Sequence, residues 1–396
     1  MEHLKIAPKV YYLGIDDKKT QYFEGIWPIP YGISYNAYLI KDNKIALIEG
    51  GVKVDFSRAF LNNISHIIDP AHIDYIIVNH MEPDHTGTLP MLYKIASNAK
   101  IIITSFGKKL LSDFYGISDE NRIITVKDGD KINLGEIELL FFTIPGVHWP
   151  DTMVTYDTFN KILFSGDAFG TFGALSGKIF DDEINVNFYL SEARRYFANI
   201  VGMHTQSVQN ALKKLKSLEI KIIAPSHGPI WRANPGIIIQ LYDKLSRYEA
   251  ENKVLIIHGS MYGFTDELAN YIARKLVSKG VKVSMHNAVN QHPSFAIGEA
   301  WDSKVILFGS PTYDGSVFPP VFYTAYLLWT KRLKNKHYGI FGSFGWSGKG
   351  YVKLIDLFKP LNWELIEPII EIRGRLRKEN FEQIDELVDS IISLMQ

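Results

Sequence analysis

Four side chains able to bind a metal ion stand within six residues in the stretch Asn79-His80-Met81-Glu82-Pro83-Asp84-His85-Thr86-Gly87, directly behind the apolar run Tyr75-Ile76-Ile77-Val78. His80 and His85 offer imidazole nitrogens and Glu82 and Asp84 offer carboxylates, a mixture that suits first-row transition metals. In an extended segment residues i, i+2 and i+4 point to one side, so His80, Glu82 and Asp84 are expected to converge while His85 turns elsewhere. Pro83 stiffens the loop. Ligands facing both ways serve two ions better than one, and the stretch reads as half of a binuclear site.

Three more candidates follow apolar runs by one to four residues: His148 in Ile-Pro-Gly-Val-His-Trp, Asp167 in Leu-Phe-Ser-Gly-Asp and His227 in Ala-Pro-Ser-His-Gly. Singly, each has an ordinary reading as a capping Asp or a hydrogen-bonded loop His. Their shared position just after strands is the argument, because loops leaving one edge of a sheet meet in one place. The set then holds four His and three carboxylates. With Asp167 as the bridge, each ion receives four protein ligands and keeps open positions, the mark of a reactive rather than a structural metal site.

A second group of loops lies nearer the C-terminus. Ser260-Met261-Tyr262-Gly263-Phe264-Thr265 follows the apolar run Val254–Ile257 and opens a helical pattern, so backbone N–H groups and hydroxyls at the helix start are placed to bind phosphate. The loop contains no Lys or Arg and no G-x-G-x-x-G, which sets aside the nucleoside triphosphate loop and the dinucleotide fingerprint. Two further loops follow strands: Gly309-Ser310-Pro311-Thr312-Tyr313-Asp314-Gly315 and Gly342-Ser343-Phe344-Gly345-Trp346-Ser347-Gly348. Gly348-Lys349 hints at another phosphate loop, but Ser343 stands where a glycine is needed and Gly350 where Ser or Thr is needed, so that reading fails.

The elements that must position these loops fall into two rhythms. Up to about Asn252 strand-like runs dominate, at 35–40, 44–49, 75–78, 101–104, 137–144, 161–165 and 221–224, which fits two sheets flanked by helices. Beyond it strands at 254–257, 281–285, 305–309, 338–342 and 365–372 alternate with helical patterns, predicting a doubly wound parallel five-stranded sheet. A last helix begins near Asn380, and Phe381, Ile384, Leu387, Val388, Ile391 and Ile392 recur on one face as a core stripe. With 396 residues two domains are expected, 1–250 and 251–396, meeting in the polar passage around Glu249-Ala-Glu-Asn-Lys253.

Composition narrows the chemistry. The 43 basic and 43 acidic residues balance and no basic run stands out, so no nucleic-acid partner is expected. There is no cysteine, which removes disulfides, iron–sulfur clusters and thiol nucleophiles and leaves any metal to His and carboxylates. The N-terminus lacks a long apolar segment and the run Val321–Trp329 is too short to span a bilayer, so the expectation is a cytoplasmic protein with no membrane partner. His3, His66, His72, His204, His258, His286, His292 and His337 show no ligand pattern and are read as surface or satisfied core residues, His258 being notable for closing the strand before the phosphate loop.

His80-Met-Glu82-Pro-Asp84-His85 followed by His148, Asp167 and His227 resembles the ligand set of flavodiiron proteins, whose first domain has the metallo-β-lactamase αββα fold. Related zinc hydrolases carry H-x-H-x-D-H; here Glu82 replaces the second histidine, a hard anionic ligand that favours redox-active iron. The resemblance implies that His80, Glu82, His148 and Asp167 hold one of two iron ions and Asp84, His85, His227 and Asp167 the other. Asp151 is expected to accept a hydrogen bond from a ligating imidazole. Ser260 to Thr265 resembles the flavodoxin phosphate loop for FMN, and by that likeness the loops 311–315 and 343–348 flank the isoalloxazine, with Tyr313 and Trp346 as stacking or edge contacts.

By the same resemblance the expected activity is reduction of dioxygen to water, of nitric oxide to nitrous oxide, or of both. Electrons would come through FMN from a separate donor: rubredoxin, an NAD(P)H-dependent reductase or a reduced deazaflavin coenzyme. The family further implies a head-to-tail homodimer, or a tetramer of two such pairs, in which each flavin serves the partner's irons. Two other readings stand beside it. One is a binuclear zinc hydrolase of esters or thioesters fused to a flavodoxin, against which Glu82 and the flavin loops weigh; the other is an electron carrier with an inert first half, against which the seven intact ligands weigh. Dioxygen and nitric oxide fit the same open positions, so the sequence leaves that choice open.

Overall fold

The computed structural model describes residues 4–395. The chain divides into two compact units: one runs to Tyr196 and takes up His204–Asp243, and the other takes Phe197–Met203 and the chain from Lys244 onward.

The first unit is built on two sheets. A seven-stranded sheet has the order Lys5–Ala7, Val10–Tyr12, Tyr38–Lys41, Ile45–Ile48, Tyr75–Ile77, Lys100–Thr104 and Ile123–Val126, antiparallel through its first four strands and parallel from Ile45–Ile48 onward. Ile76, Ile77, Ile101 and Ile102 are fully buried, which explains why these strands read as unbroken apolar runs: parallel strands are covered on both faces. The second sheet orders Lys131–Asn133, Glu138–Thr143, Met153–Asp157, Ile162–Gly166 and Ile222–Pro225 and ends in one parallel pair. The sheets face each other, with the Tyr38 ring 5.2 Å from that of Phe164 and the Tyr38 hydroxyl donating to the Pro225 carbonyl at 2.7 Å. Helices such as Ser57–Ser65 and Ser105–Tyr115 turn Phe60, Ile64 and Leu111 inward, completing an αββα arrangement.

In the second unit five parallel strands have the order Lys282–Asn287, Glu251–His258, Ser303–Tyr313, His337–Phe344 and Glu364–Arg373, with a short antiparallel strand Ser316–Val317 on Ser303–Tyr313. The order in which successive strands are added therefore reverses between Glu251–His258 and Ser303–Tyr313, and the crevice at their carboxyl ends is where doubly wound sheets bind ligands. The last helix, Phe381–Met395, buries Ile384, Leu387, Val388 and Ile391 against Leu268, Ile272, Ile366 and Ile370, and stacks Phe381 on Tyr271 at 5.0 Å. The stripe is core, as its spacing requires.

Several strands lie outside the expected set, namely the central Met153–Asp157 and the short Lys5–Ala7, Val10–Tyr12, Ile123–Val126 and Lys131–Asn133. Three or four residues leave too little alternation to be seen. The strand expected at 35–40 divides into Ile33–Tyr35, paired with Ile15–Asp17, and Tyr38–Lys41. Among the other histidines, His66 and His72 are exposed, His258 and His286 are buried, and His292 accepts from the Ser294 N–H at 3.2 Å as a helix cap; His3 lies outside the described residues. Among the described residues no helix is long and apolar enough to cross a membrane.

Leu387 has no exposed surface, so truncation leaves a cavity in a packed core. Leu387→Ala is expected to lower the unfolding free energy of the second unit by about 3 kcal/mol, read from a denaturant titration; a loss below about 1 kcal/mol would show that this helix face is not core.

Candidate functional site

Strand ends and loops from both sheets bring seven side chains together. The segment Asn79–Glu82 leaves the strand Tyr75–Ile77, and Asn79 anchors it: its side chain donates to Glu49 Oε1 at 2.5 Å and accepts from the Thr155 hydroxyl at 2.8 Å. Its carbonyl also accepts from the Met153 N–H at 2.8 Å, tying the loop to the facing sheet. His148 comes from the loop after Glu138–Thr143, Asp167 directly follows Ile162–Gly166, and His227 lies two residues beyond Ile222–Pro225.

Two groups form, His80, Glu82, His148 and Asp167 in one and Asp84, His85 and His227 in the other, each with ligand atoms within 4.8 Å of one another. Asp167 joins them. Its Oδ2 lies 2.9 Å from His148 Nε2 and 3.5 Å from His80 Nε2, while its Oδ1 lies 3.0 Å from His85 Nε2 and 3.6 Å from His227 Nε2. Glu82 Oε2 closes the first group at 3.0 Å from His148 and 3.5 Å from His80. Asp84 Oδ2 closes the second at 3.3 Å from both His85 and His227. The Ser226 hydroxyl donates to Asp167 Oδ1 at 2.7 Å and fixes its rotation. His227 Nδ1 donates to the Ser34 carbonyl at 2.7 Å, which leaves its Nε2 lone pair facing the cluster.

Electrostatics show what the cluster needs. Burial disfavours an imidazolium at His80 and His148, but the carboxylates of Asp167 and Glu82 outweigh it, raising His80 well above the usual range and His148 to about 10. Burial likewise opposes ionisation of Glu82, yet the hydrogen bond from His148 and the nearby His80 imidazole carry its carboxyl down to about 2. His227 is raised too, against its burial, by Asp84 and Asp167. Three carboxylates among four imidazoles attract positive charge, and protons supply it when nothing else does. His80 Nε2, His85 Nε2, His227 Nε2 and both Asp84 oxygens are buried without a hydrogen-bond partner, so the site offers unsaturated donors of the nitrogen and oxygen types that suit a pair of first-row metal ions.

Two expectations need correction. The chain is not extended through the motif: Pro83 starts a short helix, Pro83–Thr86, which swings Asp84 and His85 together to the second group, so His80, Glu82 and Asp84 do not converge. Asp151 makes no hydrogen bond to a candidate ligand histidine; its Oδ2 accepts instead from the Met81 N–H at 2.9 Å, between His80 and Glu82. It holds the backbone of the ligand loop rather than an imidazole. Ser226, Ser34 and Glu49 also escaped the sequence reading. Ser226 stands beside His227, whereas Ser34 and Glu49 are remote in the chain and carry no local signal.

The second unit contains a cavity of about 550 Å³ at the carboxyl edge of its sheet. Ser260, Met261, Tyr262 and Phe264 line it from the first loop, Pro311, Thr312, Tyr313, Asp314 and Gly315 from the second, and Ser343, Phe344, Gly345, Trp346 and Ser347 from the third. Gly263, Thr265 and Gly348 stand behind the lining: Gly263 caps the helix Phe264–Ser278 and donates to the Ser260 hydroxyl at 2.9 Å, and the Thr265 hydroxyl pairs with that of Ser343 at 2.9 Å. Gly374, just past the fifth strand, is a lining residue the sequence reading missed. No Lys or Arg lines the cavity, so a phosphate there would rest on backbone N–H groups and hydroxyls at a helix start. Trp346 is 93% exposed and Tyr262 81% exposed, wide aromatic surfaces suited to a flat ring system. His258 pairs instead with Asp266 at 3.1 Å under the first loop.

A family model described as ODP family beta lactamase matches residues 33–228, and one described as Flavodoxin matches residues 256–382. A nitric oxide reductase of Moorella thermoacetica is 33% identical over 386 residues, covering 96% of each chain. A rubredoxin-oxygen oxidoreductase of Megalodesulfovibrio gigas is 30% identical over 395 residues, covering 99% of this chain and 98% of the relative. The crystal structure of the flavodiiron protein from Giardia intestinalis superposes with a TM-score of 0.94 at 28% identity, covering 100% of this chain and 98% of that one. Matching both domains in one order and nearly full length, the chain belongs to the flavodiiron protein family.

Proposed function

We propose that the protein reduces dioxygen to water, nitric oxide to nitrous oxide, or both, at a pair of iron ions, with electrons delivered through FMN. The observation that carries this reading is Asp167, whose two oxygens each face a separate set of imidazoles, in a chain that also holds a flavin-sized cavity. His80, Glu82 and His148 would hold one iron, Asp84, His85 and His227 the other, and Asp167 both. FMN would lie in the cavity lined by the loops at 260–264, 311–315 and 343–347. FMN supplies two electrons and each ferrous ion one, the four that dioxygen needs to become two waters; two nitric oxide molecules need two.

The chain's own residues supply the setting. Glu82 stays ionised at neutral pH, since its carboxyl titrates at about 2, and with Asp84 and Asp167 it provides anionic oxygen that favours iron over zinc. Tyr196 and Phe23, both buried, place their rings 5.8 and 5.4 Å from that of His227 and exclude water from one side of the site. Glu82 and the cavity in the second unit leave a zinc hydrolase without support, and the relatives named above are oxidoreductases.

In this reading electrons come from a separate donor; the 396 residues themselves hold no cysteine for a rubredoxin-type iron centre. Rubredoxin, an NAD(P)H-dependent reductase and a reduced deazaflavin coenzyme are the donor classes considered, and rubredoxin appears in the name of the Megalodesulfovibrio relative. We further propose a head-to-tail homodimer, alone or paired into a tetramer, in a cytoplasmic setting. The exposed Trp346 and Tyr262 at the mouth of the cavity support a partner surface there.

Steady-state consumption of each gas with a photoreduced flavin donor tests the reading and ranks the two substrates. Asp167→Ala is expected to bind FMN normally, lose iron and lower the rate by at least about 100-fold; an alanine variant turning over at the wild-type rate would remove the bridging role.

Iron loading offers an independent check. His148 titrates at about 10 and His80 is raised well above the usual imidazole range, so at pH 7 the metal-free site holds protons that a ferrous ion must displace. Titrating the apoprotein with ferrous ion in a pH-stat should release protons at pH 7, and the release should fade as pH rises through about 10. Iron uptake without proton release would place the metal elsewhere.

A further inference from the structure

The third loop of the flavin cavity ends in Gly348-Lys349-Gly350, a glycine pattern that no phosphate loop explains. Its explanation lies on the fifth strand of the sheet. The Glu371 carboxylate accepts from the Lys349 N–H through both oxygens, at 2.7 Å to Oε1 and 3.0 Å to Oε2. A Cβ on Gly348 would lie 2.7 Å from Glu371 Oε2, so only glycine allows the carboxylate this approach. Gly350 packs against the Ser316 backbone carbonyl, which leaves no room for a side chain there either. Its N–H donates to the Thr312 hydroxyl at 3.2 Å, and that hydroxyl reaches Glu371 Oε1 at 3.5 Å. Thr312 lines the flavin cavity from the second loop and the residues just before Gly348 line it from the third.

We infer that Glu371 is a positioning residue for the flavin: its carboxylate fastens the second and third loops to each other and sets the affinity and reduction potential of FMN without touching it. Glu371 is not among the residues lining the cavity, and it forms no ion pair among the described residues. Two consequences follow from those facts. The loops depend on charge-assisted hydrogen bonds for their spacing, and these are stronger than neutral ones. The carboxylate also adds a negative charge behind the loops that no direct ion pair among the described residues neutralises, which opposes placing electrons on a nearby flavin. The same strand end reinforces the third loop through the Arg373 Nε–H to the Gly345 carbonyl at 3.0 Å and the Gly374 N–H to the Phe344 carbonyl at 2.9 Å. Among these ties Glu371 alone also reaches the second loop.

This inference rests on the flavin reading above, and the test separates the two. FMN binding to the full-length apoprotein is followed by quenching of flavin fluorescence, with spectroelectrochemical potentials, visible circular dichroism of the flavin and iron content on the reconstituted protein. Glu371→Ala should weaken FMN binding about tenfold and change the flavin dichroism while iron content stays at the wild-type level. Glu371→Gln keeps an acceptor for the Lys349 N–H but removes the charge, so it should restore most of the affinity and shift the FMN potential upward. Thr312→Val should weaken binding as well, and adding Glu371→Ala to it should cost less than Glu371→Ala alone, since both act on one link. Wild-type affinity, dichroism and potential in the Glu371 variants would overturn the inference, as would parallel loss of iron and FMN, which would mark a general folding role. Should Glu371→Ala not fold, an unmoved potential in Glu371→Gln together with wild-type affinity in Thr312→Val overturns it equally. A wild-type chain that takes up no FMN removes the flavin reading and this inference with it.

Discussion

A single buried carboxylate, that of Asp167, stands between two sets of imidazoles, and most of the first unit's architecture follows from keeping it there. Both oxygens are engaged on opposite sides, so neither group of ligands can shift without the other. His80, Glu82, Asp84 and His85 come from a loop of the seven-stranded sheet, and His148, Asp167 and His227 from the five-stranded one. The site therefore exists only if the two sheets keep their register face to face, because a slip of one residue turns every side chain of a strand to the other face. Cross-sheet ties such as Met153 N–H to the Asn79 carbonyl and Tyr38 hydroxyl to the Pro225 carbonyl sit next to the ligand loops, where such a slip would do most harm.

Chemistry-bearing residues were more legible in the sequence than the geometry that arranges them. The seven candidate ligands could be picked out because four crowd one loop and the others each follow an apolar run, signals that residue type and spacing carry. Their division into two groups was not readable from alternation. Extended geometry would have sent Asp84 with His80, but Pro83 has no N–H to give up and starts a helix at no cost, which turns the chain. The five parallel strands of the second unit and the core face of its last helix were legible because buried parallel strands and amphipathic helices have strong periods. Strands of two to four residues and a lining glycine such as Gly374 have none. The supports Ser34, Glu49 and Glu371 are separated from the groups they hold by 193, 30 and 22 residues, and nothing local marks such partners.

The two sites solve opposite electrostatic problems within a chain of zero net charge. The metal cluster concentrates carboxylates and pulls positive charge inward, so protons or cations are needed before it is satisfied. The cavity proposed for the flavin has no cationic side chain in its lining although the ligand proposed for it is an anion. A phosphate held by backbone N–H groups has no long, flexible partner that can follow it, so binding depends on the loop backbone already being in place. Rigid loops are thus a requirement of that site, whereas the metal cluster can draw its ligands together through the charge it binds.

Both sites meet the need for fixed loops with the same device. Asp151 accepts the N–H of Met81, which lies between two candidate ligands, and Glu371 accepts the N–H of Lys349, which follows the flavin loop's last glycine. In each case the clamped residue does no chemistry, and the clamp acts on the backbone so that neighbouring side chains keep their aim. A carboxylate is suited to this, because an ionised acceptor holds an amide more strongly than a carbonyl does and leaves the chemical side chains free. The cost is a buried or half-buried negative charge beside each reactive centre. At the metal cluster bound cations would absorb it; beside the proposed flavin no cationic side chain in the lining does, so there the clamp would also be felt as a field.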